Sequence, residues 1–318
     1  MRTIYARNVN EAWQHAIETI DQVGVVESSR NGPVRVAPYP VVTIYANPME
    51  RVLFDPVRDA NPIFHLHEAL WMLAGRQDAR WLDQFVSDFS KRYSEDDGRL
   101  HGAYGYRWRN HFGADQLKEV VEILGEDPTS RQAVIQMWDS DSDLGVPGLL
   151  DRPCNTQIYL RIREDVLDLC VMCRSNDIVW GAYGANAVHF TLLQEYLAGQ
   201  IGVGVGRFTQ FSWNWHMYDN TKHLADHAAA NGWQSYPGFQ SLMTYPKTFD
   251  REVQAYISDP DSAVDAKNQF LAVTALSMWK ANQARKQKDM TEALNWAGLI
   301  SAPDWRQATL AWLKRRNK

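Results

Sequence analysis

The 318-residue chain has only three cysteines, an odd number, so it carries no disulfide framework. The thiols read as reduced, which predicts a cytoplasmic protein. No apolar run is long enough to span a bilayer, and the opening MRTIYARNVNEAW has no signal-peptide core. There is no basic excess either: 33 Lys and Arg stand against 38 Asp and Glu, a net charge of −5. That excludes a generic polyanion binder, because nonspecific nucleic-acid affinity comes from neutralising phosphates. A local basic site for one phosphate remains compatible with it. Cys170 and Cys173 form a lone C-x-x-C with no second pair at a matching spacing, so no metal site is expected. No repeat, low-complexity linker or composition break divides residues 1–318, which read as one domain. What is present is a globular mix, 45% hydrophobic with 22% charged, in a chain long enough to bury a large core. Thirteen tryptophans point to broad aromatic surfaces, in the core or around a flat ligand.

Periodicity gives a coarse layout. Asn8 to Ile20 has helical apolar spacing. Residues 41–54 read as strand pieces broken by Asn47-Pro48. Pro62 suits the first turn of a helix over 63–74, and Gly75 ends it. A short helix over 117–124 ends at Gly125, and 132–138 resembles a buried strand. Thr156 to Arg163 and Val166 to Cys173 alternate on either side of Glu164-Asp165, the pattern of a β-hairpin. Ala187 to Ala198 reads as an amphipathic helix closed by Gly199. Arg207 to His216 reads as another strand, and the last third is mostly helical. Long helices against one large sheet make an α+β fold.

Several residues have the right chemistry and also an ordinary reading. Cys154, at the mouth of a strand among arginines, suits a nucleophile; a buried structural cysteine is the commoner fate. Arg174-Ser175-Asn176-Asp177 can fork onto a phosphate and orient a polar ligand, or be a solvated turn. Gly181 to Asn186 leads into a helix, where Asn186 can read a base edge or simply cap the helix. Glu68 sits among Leu66, Ala69, Leu70, Met72 and Leu73. That leaves little room for an exposed stripe, so an inward-facing acid or base is expected. His216 and Tyr218 share a strand face and suit a sugar, or a satisfied core pair.

Taken in order, these segments resemble the thymidylate synthase family from about Arg30 to Asn220. HEALWMLAG is similar to its catalytic-glutamate helix, giving Glu68. LHGAYGYRWR gives Tyr104. Pro153-Cys154-Asn155 resembles its Pro-Cys-His nucleophile motif, Arg174-Ser175-Asn176-Asp177 its Arg-Ser-x-Asp, and His216-Met217-Tyr218 its ribose-binding His-x-Tyr. The resemblance implies a large mixed sheet packed with long helices, and a sheet-to-sheet homodimer in which Arg131 crosses to the partner's site. Arg30, Arg131, Arg174 and Ser175 would hold the phosphate, His216 and Tyr218 the sugar, and Asn186 the base. Asp177, Trp71 and Gly181 would contact folate. The segment 221–318 lies outside the recognisable core.

The departures set the expected reaction. Asn155 replaces the motif's histidine, which bears on base discrimination together with Asn186. Gln132 replaces a second phosphate arginine. One extra residue separates Gly181 from Asn186, and the LKRRNK terminus lacks apolar closing residues. The implied chemistry begins with Cys154 adding to C6 of a pyrimidine nucleoside monophosphate. Methylenetetrahydrofolate supplies one carbon to C5. A wetter cavity favours water over hydride at the last step, so the expectation is a phage-type dUMP hydroxymethylase serving DNA modification. Alternatives are a dCMP or CMP hydroxymethylase, a true thymidylate synthase, and a catalytically idle nucleotide-binding relative. Neither nucleic acid nor membrane is an expected partner.

Overall fold

The described strands form one mixed sheet in a computed structural model that describes residues 1–29, 31–226 and 235–317. They are β1 (Arg2–Ala6), β2 (Val25–Ser29), β3 (Gly32–Val36), β4 (Val41–Tyr45), β5 (Val134–Gln136), β6 (Asn155–Arg163), β7 (Val166–Asp177) and β8 (Gly204–Tyr218). The order is β1-β4-β8-β7-β6-β5, with β3 pairing both β2 and β8. The β1–β4 and β7–β8 pairs are parallel and the others antiparallel. The hairpin expected from TQIYLRIR and VLDLCVMC is β6–β7. Its turn residues Glu164 and Asp165 have φ of 51° and 57°. Two left-handed residues match the twist of the flanking strands, which lets an unfavoured Glu-Asp pair serve as the turn. Cys170 and Cys173 are three residues apart on β7 and so point to opposite faces of the sheet.

The helix over Val9–Val23 starts where Asn8 accepts from the Asn10 and Glu11 amides, and runs three residues past the expected end. The Pro62–Leu73 helix is capped by Asn61, and Gly75 follows it at φ 68°. The Gln116–Glu126 helix continues through Gly125. Two strand expectations were too long. Of 41–54 only β4 is strand, and of 132–138 only β5. Beyond Pro48 the chain is held by side chains instead. Arg51 donates to Glu195 at 2.6 Å, with both side chains under 5% exposed. Breaking such a buried pair costs about 3–5 kcal/mol.

The largest difference concerns the helix expected over 187–198. It runs Asn186–Ile201, and Gly202 at φ 90° ends it, not Gly199. It is also not amphipathic: every residue from Asn186 to Ala198 is buried. A helix buried all round belongs in the core, and two of its polar side chains find partners there. Gln194 donates to the Leu167 and Arg207 carbonyls, and Glu195 accepts from Arg51, Ser241 and the Leu242 amide. This helix packs on the sheet and against the Pro62–Leu73 helix. The last third is helical as expected, at Phe249–Ser258, Leu276–Lys286, Met290–Gly298 and Pro303–Arg315. No helix among the described residues is long and apolar enough to cross a membrane.

Candidate active site

Glu68 lies on the Pro62–Leu73 helix and faces inward, its side chain 13% exposed. The segment carrying Tyr104 is clamped to this helix. At Gly105 a Cβ would overlap the Met72 backbone, so only glycine allows the approach. Arg109 donates to the Leu73 carbonyl at 2.7 Å. Arg107, fully buried, grips Asp143 through two bonds of 2.7 and 2.8 Å, the bidentate geometry that guanidinium favours. Burial pushes the Tyr104 phenol well above its ordinary pKa, and the neighbouring Cys154 adds to the shift; a hydrogen bond with the Cys154 backbone opposes it.

The opposite wall comes from the sheet. The Arg174 amide donates to the Cys154 carbonyl at 2.9 Å, which sets the half-buried Cys154 beside the end of β7. Ser175 and Asp177 follow on one face of that strand. Asp177 Oδ1 accepts from the Trp180 amide at 2.5 Å, while Oδ2 is buried without a partner among the described residues. Burial raises the Asp177 pKa, and the Trp180 amide, His216 and Arg58 oppose it. Arg58 is itself lowered to about 10, by burial.

The chain then enters a π-helix over Ile178–Ala185 before the buried helix begins. A π-turn absorbs one extra residue, which is how the longer Gly181–Asn186 spacing is accommodated. Asn186 is the first helical residue, not a cap: Ala185 precedes it with no side-chain cap. Its Nδ2 donates to Asn176 Oδ1 at 3.1 Å, and Asn176 Nδ2 donates to Ser212 Oγ at 2.9 Å. A Cβ at Gly181 would stand 2.8 Å from Asn176 Oδ1, so glycine leaves this contact clear.

Eight of the expected residues line one cleft of about 610 Å³: Glu68, Trp71, Tyr104, Cys154, Ser175, Asp177, Gly181 and Asn186. His216 and Tyr218 stand on β8, with His216 paired opposite Asp177 and the two rings 5.1 Å apart. Asn155 does not line the cleft. It is fully buried, and its Oδ1 accepts from the Cys173 thiol at 2.8 Å. Arg174 donates to the Pro153 carbonyl at 3.0 Å and lies over Trp138. Arg131 is apart from the cleft, in an exposed surface recess with Asp127, Thr129, Ser130 and Gln132. Arg30 lies outside the described residues.

The cleft also holds Arg58, Asp151 and His189, which no motif in the sequence singles out, and Asn176, named there only as part of the Arg174–Asp177 segment. Asp151 accepts from the Gly102 amide at 3.0 Å, and burial raises its pKa. His189 Nε2 lies 3.1 Å from Glu68 Oε2. The Asn186-to-His189 spacing, one helical turn, was the available signal for His189. The C-terminal helix reaches the cleft wall too. Arg315 and Arg316 pair with Asp59 at 2.8 and 2.7 Å, and Asp59 is a lining residue.

The family model described as Thymidylate synthase matches residues 57–255. A Pseudomonas phage M6 protein named deoxyuridylate hydroxymethyltransferase is 42% identical over 338 positions, covering 99% of this chain and 95% of its own. A Bacillus phage SP01 protein of the same name is 33% identical over 69% of this chain and 59% of its own. A Methanosarcina acetivorans protein whose name places it with thymidylate synthases is 29% identical over 69% of this chain and 90% of its own.

Proposed function

The chain belongs to the thymidylate synthase family, and from that premise we propose that it is a folate-dependent dUMP hydroxymethylase. It is a one-carbon transferase by family. The observation that carries the finer reading is the meeting of Cys154, Tyr104 and Glu68 in one cleft, in a chain 42% identical over nearly its whole length to a deoxyuridylate hydroxymethyltransferase.

Each residue then has a task. Cys154, as thiolate, adds to C6 of the pyrimidine and makes C5 nucleophilic. Methylenetetrahydrofolate, when bound, supplies the one-carbon unit that C5 takes up. Tyr104, acting through water, takes up the C5 proton; the electron pair left at C5 forms the exocyclic double bond as the bond between the one-carbon unit and the folate nitrogen breaks, tetrahydrofolate would leave, and a methylene remains on the covalently held base. Water then adds there. Glu68 serves as the acid and base of the proton transfers that precede this addition. The cleft fits a folate: Trp71, Trp180 and Phe64 provide flat apolar walls, and Asp177 Oδ2 is an unpartnered buried acceptor for ring N–H groups. Ser175 and Arg174 hold the phosphate, together with Arg30. His216 and Tyr218 hold the sugar, and Asn186 reads the base. Asn155, next to Cys154 at the start of β6, lies beneath the cleft and contacts Cys173.

A homodimer completes the site. On the sheet face turned away from the helices, Tyr5, Tyr159 and Trp213 are 69%, 43% and 66% exposed. An apolar face of this kind marks an association surface. Pairing two copies there brings Arg131 to the partner's cleft. The mass of the nucleotide formed from dUMP tests the reading: a hydroxymethyl group supports it, and a methyl group makes the protein a synthase.

A further inference from the structure

His189 lies one helical turn beyond Asn186, and its imidazole is nearly fully buried. Nε2 is 3.1 Å from Glu68 Oε2. The contact has the separation of an ion pair without the alignment of a hydrogen bond. Neither Nδ1 nor Nε2 has a hydrogen-bond partner among the described residues. Buried polar side chains are ordinarily satisfied, and this one lines the cleft alongside Glu68, Asn186 and Cys154. A neutral imidazole offers one N–H and one lone pair, and the reaction read above brings to this cleft a molecule that can meet the lone pair: the water that must add to the methylene.

We propose that His189 is a catalytic base for that water. The assignment rests on the hydroxymethylase reading. The water oxygen bonds to the exocyclic methylene carbon as its proton passes to the imidazole. The electron pair of that double bond moves through C5 onto the 4-carbonyl. It then returns to form the C5–C6 double bond as the C6–S bond breaks, and Cys154 leaves as thiolate. Nothing is oxidised or reduced. The Glu68 carboxylate stabilises the imidazolium that forms. A reaction ending in hydride transfer to the same carbon has no use for this base.

The test follows dUMP tritiated at C5 through a single turnover of the full-length enzyme with methylenetetrahydrofolate, for wild type, His189→Gln and His189→Ala. Tritium leaves C5 before water adds, so its release and product formation are separate readouts. In both variants tritium release stays within about threefold of wild type while product formation falls by about 10²–10⁴-fold, the contribution of a positioned general base. Nucleotide bound to Cys154 then accumulates and is seen by intact-protein mass. Glutamine keeps a polar group of similar size, which guards against a folding defect. Parallel loss of both readouts overturns the proposal, as does wild-type product formation by either variant. A methylated product from the wild-type enzyme instead defeats the underlying reading, whatever the variants do.

Discussion

The side-chain amide of Asn186 donates to Asn176 Oδ1 over 3.1 Å, and Asn176 passes the same polarity on to Ser212. This relay leaves Asn186 Oδ1 and its second amide hydrogen for a ligand. Uracil offers the matching imide N–H and 4-oxygen; cytosine offers the reverse pattern. Asn186→Asp is therefore expected to shift the kcat/KM ratio toward dCMP by about 10²-fold or more, because a fixed polar edge strongly rejects the wrong partner. Steady-state kinetics on both nucleotides check it. An unchanged ratio would remove Asn186 from base selection.

That orientation was not legible in the sequence. Asn186 could be singled out by its place after Gly181, but Asn176 and Ser212 stand on two different strands, and only their pairing fixes the amide. His189 escaped notice for the same reason: its partner Glu68 is on a distant helix. By contrast Cys154, Tyr104, Glu68 and Asp177 were legible, because each sits in a local motif whose order along the chain carries the information. The hairpin was legible from its alternation. The helix after Asn186 reads as amphipathic because Gln194 and Glu195 look solvent-facing until Arg51 is seen to pair with Glu195 and the strand carbonyls to accept from the Gln194 amide.

Gly105 is the point where the Tyr104 segment touches the Glu68 helix. Gly105→Ala would force the Met72 backbone aside. A loss of about 1–3 kcal/mol in unfolding free energy is expected, as for an overpacked core, together with reduced turnover. Urea unfolding measures the first and product formation the second. A fully stable and active variant would mean the two segments are not clamped.

Arg131 should act across a dimer. Arg131→Ala and Cys154→Ser, each impaired alone, are expected to recover about a quarter of wild-type activity after equal mixing and re-pairing, since half the dimers are then mixed and one site in each is intact. No recovery, with exchange verified, would place Arg131 in its own subunit's chemistry or outside the site.

Asp304 supplies a pH signature of the fold. It is buried, accepts from the Tyr236 hydroxyl at 2.8 Å and the Trp305 amide at 2.9 Å, and burial raises its pKa to about 6. The folded-state pKa lies above the unfolded value, so its contribution is present below about pH 4 and is lost as pH rises through about 6. The stability of Asp304→Asn relative to wild type is therefore expected to grow between pH 4 and pH 7. Urea unfolding at both pH values checks the sign, and a constant difference would contradict it.

The most direct measurement is the mass of the nucleotide made by the wild-type enzyme from dUMP and methylenetetrahydrofolate, with dihydrofolate followed in the same reaction. The account predicts a gain of one formaldehyde unit and no dihydrofolate. A gain of one methylene unit, with dihydrofolate formed in equal amount, would contradict it.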